Sequence, residues 1–166
     1  MLNHLESLCR LCGASGQEHP VRDYLIEQIK PLGLPYQVDP LGNLIVEKKG
    51  KQTPPKKWMI GAHMDEVGLI VTYIDENGFL KVGNLGGLDL RLFPAQTVTV
   101  HGTSDIPGVV CAMPPHLLAG DADVADITDI LIDTGYSKEE LEKIVSLGDM
   151  ISFDAPFEEL CGDRIC

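Results

Sequence analysis

The chain has 166 residues, enough for one domain or two small ones with a sizeable core. Hydrophobic residues make up 44% and charged residues 23%, ordinary for a soluble globular protein. No apolar run approaches the ~20 residues that span a bilayer, and no basic stripe offsets the net charge of −12, so neither a membrane nor a nucleic acid is expected as a partner.

The chain opens on Met1-Leu2-Asn3-His4-Leu5-Glu6. That stretch has no charged n-region and no continuous apolar h-region, so no secretory signal is read and a cytoplasmic address is expected. Leu2, Leu5, Leu8 and Cys12 recur at helical spacing and predict a short amphipathic helix over residues 2–12, stopped by Gly13-Ala14-Ser15-Gly16. Cys9 and Cys12 have redox-motif spacing, but they sit in an apolar helical pattern and read as buried thiols. With Cys111, Cys161 and Cys166 they form an odd, scattered set unlike a disulfide framework.

Pro20 suits the first turn of a second helix, whose apolar face is Val21, Tyr24, Leu25, Ile29 and Leu32 and whose end is Gly33. From Pro35 the period changes to two. Tyr36-Gln37-Val38 and Leu44-Ile45-Val46 flank Asp39-Pro40-Leu41-Gly42-Asn43 and predict a hairpin. Lys48, Lys49, Lys51, Lys56 and Lys57 around Thr53-Pro54-Pro55 read as a solvated loop. Trp58-Met59-Ile60-Gly61-Ala62 is an unbroken apolar run, the pattern of a strand covered on both faces.

Beyond it the strands shorten. Val67–Ile74 and Phe79–Val82 are joined by Asp75-Glu76-Asn77-Gly78, and Gln96–Val100, Ile106–Cys111, Ile130–Ile132 and Met150–Phe153 follow. Ser137-Lys138-Glu139-Glu140 is a capping box opening a helix through Leu141, Ile144, Val145 and Leu147, closed by Gly148. The fold expected is α/β: residues 1–66 as part of an open α/β sheet, residues 67–155 as a β-rich, barrel-like insert, and residues 156–166 as a return segment toward the sheet. Residues 1–62 are expected to be poorly stable alone, while the insert could fold by itself.

The compact chemical constellation is Ala62-His63-Met64-Asp65-Glu66-Val67-Gly68. Imidazole suits zinc or cobalt, and a ligating histidine is usually held by a carboxylate behind it. A carboxylate two residues on can do so when both side chains leave a strand on one side. By itself His-x-Asp equally describes a structural histidine bonded to its neighbour. Glu66 reads as outward-facing. His4, His19 and His101 lack carboxylate or cysteine partners at ligand spacing and read as surface or capping residues. Asp121, Asp123, Asp126 and Asp129 lack the glycine and terminal glutamate of a calcium loop and read as a solvated stretch. No phosphate loop or nucleophile elbow occurs.

Gly61-Ala62-His63-Met64-Asp65-Glu66-Val67-Gly68 resembles the first metal motif of the dinuclear aminopeptidases of peptidase family forty-two, which include glutamyl, tetrahedral and deblocking aminopeptidases. Ala14–Glu18, Asp39–Leu44, Asp75–Leu80, Gly86-Gly87, Ile106–Val109, Pro114–Leu118, Leu131–Gly135 and Phe157-Glu158 resemble the same family in order, over essentially the whole chain. The resemblance implies that His63 is a metal ligand and Asp65 the catalytic carboxylate that orients it. It also implies two zinc or cobalt ions per site, peptide substrates cut at the N-terminus, and homo-oligomers built through the insert. His116 resembles a position of the insert near subunit contacts.

The family's bridging Asp follows the stretch resembled by Gly162-Asp163-Arg164-Ile165, and its Glu pair, later carboxylate and final His come later still. The 166 residues are therefore expected to be inactive alone, since even one catalytic zinc normally takes three protein ligands. Two other readings stand beside this one: a non-catalytic self-association module, and an independent single-metal protein using His63 and Asp65.

Overall fold

The computed structural model describes residues 2–53, 56–111, 126–154, 157–162 and 164–165. It divides into two compact units, residues 1–65 and 66–166.

In the first unit, α1 (Leu2–Cys9) and α2 (His19–Ile29) are followed by a 3-10 turn, Lys30–Leu32, which ends at Gly33 with φ 63°. The Tyr24 hydroxyl and His4 Nδ1, 2.8 Å apart, tie α2 to α1. Strands β1 (Tyr36–Val38) and β2 (Leu44–Val46) form the expected antiparallel hairpin, its turn fixed by Asp39 Oδ1, which accepts from the backbone N–H of Leu41 and Asn43 at 2.9 Å each.

Three expectations for this unit are corrected. Trp58–Ala62 is not a strand: Trp58, Met59 and Ile60 are 87%, 97% and 96% exposed. An apolar run signals burial, but a strand also needs a neighbour to share its ladder, and none of the described residues pairs with this one. The helix expected over residues 2–12 ends at Cys9, and the two thiols are not buried either; Cys9 is exposed and Cys12 half-buried. Helix α1 buries no residue fully; Leu8 of its apolar stripe is half-buried, while Leu2 and Leu5 are exposed. Only Ala14 and Val21 are buried apolar residues among those described in this unit.

The second unit holds the core. Strands β3 (Gly68–Ile74), β4 (Leu80–Leu85), β5 (Thr97–His101), β6 (Asp105–Cys111), β7 (Leu131–Asp133) and β8 (Met150–Phe153) close into an antiparallel barrel in the order β3-β4-β7-β6-β5-β8. Alternation sets which side chains fill it: along β6, Ile106, Gly108 and Val110 are buried while Asp105, Pro107 and Val109 are exposed. Leu69, Leu80, Val98, Val100, Ile132 and Ile151 are fully buried inside. Gly108 is required at its inward position, because a Cβ there would lie 2.7 Å from Ile132 Cγ2. Closure pairs β3 with β8, Leu69 opposite Ile151, and so leaves this sheet no open edge.

The predicted helix after Ser137 is shorter than its apolar pattern. Helix α3 is Lys138–Leu141, although Leu141 and Val145 are both buried as expected. Its continuation is diverted because the Ile144 carbonyl accepts from Thr103 N–H at 2.8 Å and Gly148 N–H donates to the Val71 carbonyl at 2.8 Å. Strands β9 (Glu159–Leu160) and β10 (Arg164–Ile165) form a separate short antiparallel pair.

Candidate metal centre

His63 and Asp65 come together, although the strand expected to send both side chains to one side is not formed and both lie in irregular chain before β3. Nδ1 of His63 lies 3.1 Å from Asp65 Oδ1 and 2.9 Å from the Asp65 carbonyl oxygen. Both partners are acceptors, so Nδ1 carries the proton and the Nε2 lone pair points away from them. Nε2 makes no hydrogen bond among the described residues, and the imidazole side chain is 84% exposed.

The other carboxylate oxygen is held by a residue that the pattern did not single out. Ser15 Oγ donates to Asp65 Oδ2 at 2.6 Å. That hydrogen bond, with smaller contributions from the backbone and from His63, holds the Asp65 carboxyl below the usual carboxylate range. Ser15 sits in a tight loop. Gln17 N–H donates to the Ala14 carbonyl at 2.8 Å, Gly16 N–H donates to Glu18 Oε1 at 2.8 Å, and Gly16 takes the positive φ of 93°. Ala14 beside it is fully buried and anchors the loop. No local signal assigns Ser15 this role, because its partner lies fifty residues away.

The donor set fits one metal-ligand arm: an imidazole that donates through Nδ1, a carboxylate behind it and a hydroxyl behind that. It is not a complete cage. Among the described residues no group of three His, Cys, Asp or Glu side chains could hold a metal ion. Glu66 is exposed.

The remaining candidates separate. Asp126 and Asp129 cap the 3-10 turn Ile127–Asp129 reciprocally, Asp126 Oδ1 accepting from Thr128 N–H and Asp129 Oδ2 from Asp126 N–H, each at 3.0 Å. Asp121, Asp123 and His116 lie outside the described residues. His101 is a correction. The sequence offers it no carboxylate or cysteine at metal-ligand spacing, yet its Nδ1 lies 2.9 Å from Asp105 Oδ1, because the β5–β6 pairing places the two residues opposite each other.

Residues 42–166 match the M42 glutamyl aminopeptidase family. The glutamyl aminopeptidase of Lactococcus lactis subsp. cremoris is 34% identical over 91% of the chain, which covers 44% of that protein. The aminopeptidase APDkam598 from the archaeon Desulfurococcus kamchatkensis superposes with a TM-score of 0.90 at 36% identity, over 98% of this chain and 45% of that one. The TET1 peptidase of Pyrococcus horikoshii, described as able to assemble into a tetrahedron or a large octahedral shell, gives 0.80 at 36% identity, over 97% and 48%. The chain therefore spans about half the length of these relatives.

Proposed function

The chain belongs to the M42 glutamyl aminopeptidase family, and from that premise we propose that it carries the first metal-ligand arm of a two-metal aminopeptidase. His63 is the ligand through Nε2, and Asp65 is the carboxylate that orients it. The observation that carries this reading is the double acceptor set on His63 Nδ1, which leaves Nε2 as the ring's electron-pair donor. Zinc or cobalt, when bound, would supply Lewis acidity and an activated water to an N-terminal peptide bond. The chain's own residues do the positioning: Ser15 fixes Asp65, Asp65 fixes the imidazole, and the imidazole presents one lone pair.

One imidazole does not make a catalytic site, since a single catalytic zinc normally takes three protein ligands. The 166 residues are therefore proposed to be inactive alone, the remaining ligands coming from residues outside them. The same argument extends to the fold. The exposed run Trp58–Ala62 is proposed as a strand of an open α/β sheet shared with those residues, with residues 1–66 its N-terminal part, 67–155 the insert and 156–166 the return segment.

A second reading, a self-association module, draws on the closed barrel with its own core and on the relative described as assembling into shells. Both readings allow homo-oligomers. The compartment proposed is the cytoplasm, in keeping with four described cysteines of which none is in a disulfide.

The test is cobalt or zinc titration of a gel-filtered sample, followed by assay against N-terminal aminoacyl substrates. Weak binding lost in His63→Ala, with no turnover, is expected. Two tightly held metals per chain with turnover would sink the inactivity argument, and binding indifferent to His63→Ala would sink the ligand assignment.

A further inference from the structure

The outer face of the barrel carries a second constellation that the metal arm does not use. On β5, β6 and β8, His101 Nδ1 lies 2.9 Å from Asp105 Oδ1 and His101 Nε2 lies 2.8 Å from Ser152 Oγ. A carboxylate can only accept, so Nδ1 bears the proton and donates to Asp105. Nε2 is then the acceptor, and the Ser152 hydroxyl donates to it. This is the nucleophile, base and orienting-acid connectivity that recurs on unrelated folds and is recognised by geometry.

Three features hold it in place. Residues 97, 99 and 101 of β5 face outward together with 150 and 152 of β8, because Val98, Val100 and Ile151 fill the barrel. The β5–β6 turn is clamped: Thr103 N–H donates to the Ile144 carbonyl at 2.8 Å, and Gly102 packs so close that a Cβ would lie 2.3 Å from that same oxygen. The His101 side chain is 21% exposed and its bond to Ser152 is half-buried, whereas Asp105 is 69% exposed and meets solvent.

A groove of about 450 Å³ lies on the same outer face, lined by Thr97, Pro107, Val109, Asp133, Thr134 and Asp154. Thr134 Oγ1 is buried without a hydrogen-bond partner. Thr99 Oγ1 donates to Asp154 Oδ1 at 2.8 Å beside Ser152, so the groove begins one outward position away from that serine. Its two carboxylates disfavour anionic ligands and suit neutral or cationic ones.

We propose that Ser152 is an activated nucleophile, a metal-independent acylation site that accepts acyl groups from small neutral or cationic activated esters. The Ser152 Oγ–acyl carbon bond forms and the acyl carbon–leaving oxygen bond breaks. The Ser152 proton passes to His101 Nε2 and from there to the leaving oxygen. Nothing is oxidised or reduced, and the products are the Ser152 ester and an alcohol. His101 is the base, and Asp105 is a positioning residue that selects its tautomer.

The experiment treats the full chain with p-nitrophenyl acetate in the presence of a metal chelator and follows acetylation by intact mass and peptide mapping. Ser152 should be acetylated first among the serines. Its rate should fall on the order of 10²-fold or more in His101→Gln, which keeps a hydrogen-bonding side chain without the base. Asp105→Asn should also slow it and alter its pH profile, as expected when the tautomer is no longer selected. Circular dichroism melting of each variant checks that the barrel is folded, and the wild-type peptide map decides the matter even where a variant is not. Acetyl groups spread over several serines with no preference for Ser152, or an unchanged Ser152 rate in folded His101→Gln, would overturn the proposal.

Discussion

Ser15 Oγ lies 2.6 Å from Asp65 Oδ2, a contact between residues fifty apart in the chain. It makes the Asp65 carboxylate bifunctional, one oxygen facing the serine and the other facing His63 Nδ1. A carboxylate held at only one oxygen can swing. Held at both, it fixes the plane in which the imidazole lies.

Ser15→Ala should therefore weaken metal binding at His63 without touching the ligand atom. Groups behind a ligating histidine typically carry about 10- to 100-fold in metal affinity, and the serine's effect should fall in or below that range. Competitive cobalt titration of the two proteins gives the ratio. Equal affinities would show that Asp65 orients the imidazole unaided.

The Asp75–Gly78 turn between β3 and β4 offers a stability test. Asp75 Oδ1 accepts from Asn77 and Phe79 N–H at 2.8 Å each, and Gly78 takes φ 86°. A Cβ at Gly78 would also lie 2.3 Å from the Tyr136 carbonyl oxygen, a backbone atom that cannot rotate away. Gly78→Ala should cost about 2 to 5 kcal/mol, the left-handed penalty and the forced backbone shift together. A barrel melting point lower by roughly 10 °C or more is the expected readout.

The barrel was legible in the sequence because its signals are local. Period-two alternation in Val98–Val100 and Ile106–Val110, and the Asp-Glu-Asn-Gly turn, act within a few residues of themselves. The failures share the opposite cause. The helix after Ser137 stops early because Thr103, far away in the chain, captures the Ile144 carbonyl. His101 and Asp105 face each other through strand register, and Ser15 reaches Asp65 through tertiary folding. His63 and Asp65 were readable, being two residues apart; what steadies them was not.

Acid should loosen the barrel unit through Asp89. The Arg91 guanidinium donates to Asp89 Oδ1 at 2.8 Å and Oδ2 at 2.5 Å, and Arg91 N–H donates to Oδ1 at 3.2 Å, so the Asp89 carboxyl is held down to about 2. Its folded value lies below its ordinary value of 3.8. The stabilisation is thus complete above about pH 4 and is lost as pH falls from there through about 2. Carboxyl NMR titration should place Asp89 near 2, and Arg91→Gln should return it part of the way toward 3.8, because the backbone donor remains. A wild-type midpoint near 3.8 would remove the ion pair from the account.

Trp58 tests the sheet proposal directly. It is the only tryptophan in the chain and is 87% exposed, beside Met59 and Ile60 at 97% and 96%. Burying large apolar side chains is worth about 1.5 to 3 kcal/mol each, so a run of three has a strong drive to be covered. In the 166-residue chain the indole should emit as in water and be freely quenched by acrylamide. In a longer chain that supplies the rest of the relatives' length, it should shift to the blue and resist quenching. A protected Trp58 in the 166-residue chain, with a concentration-dependent onset, would mean that a second copy covers the run, and the self-association reading would then displace the sheet proposal for this segment.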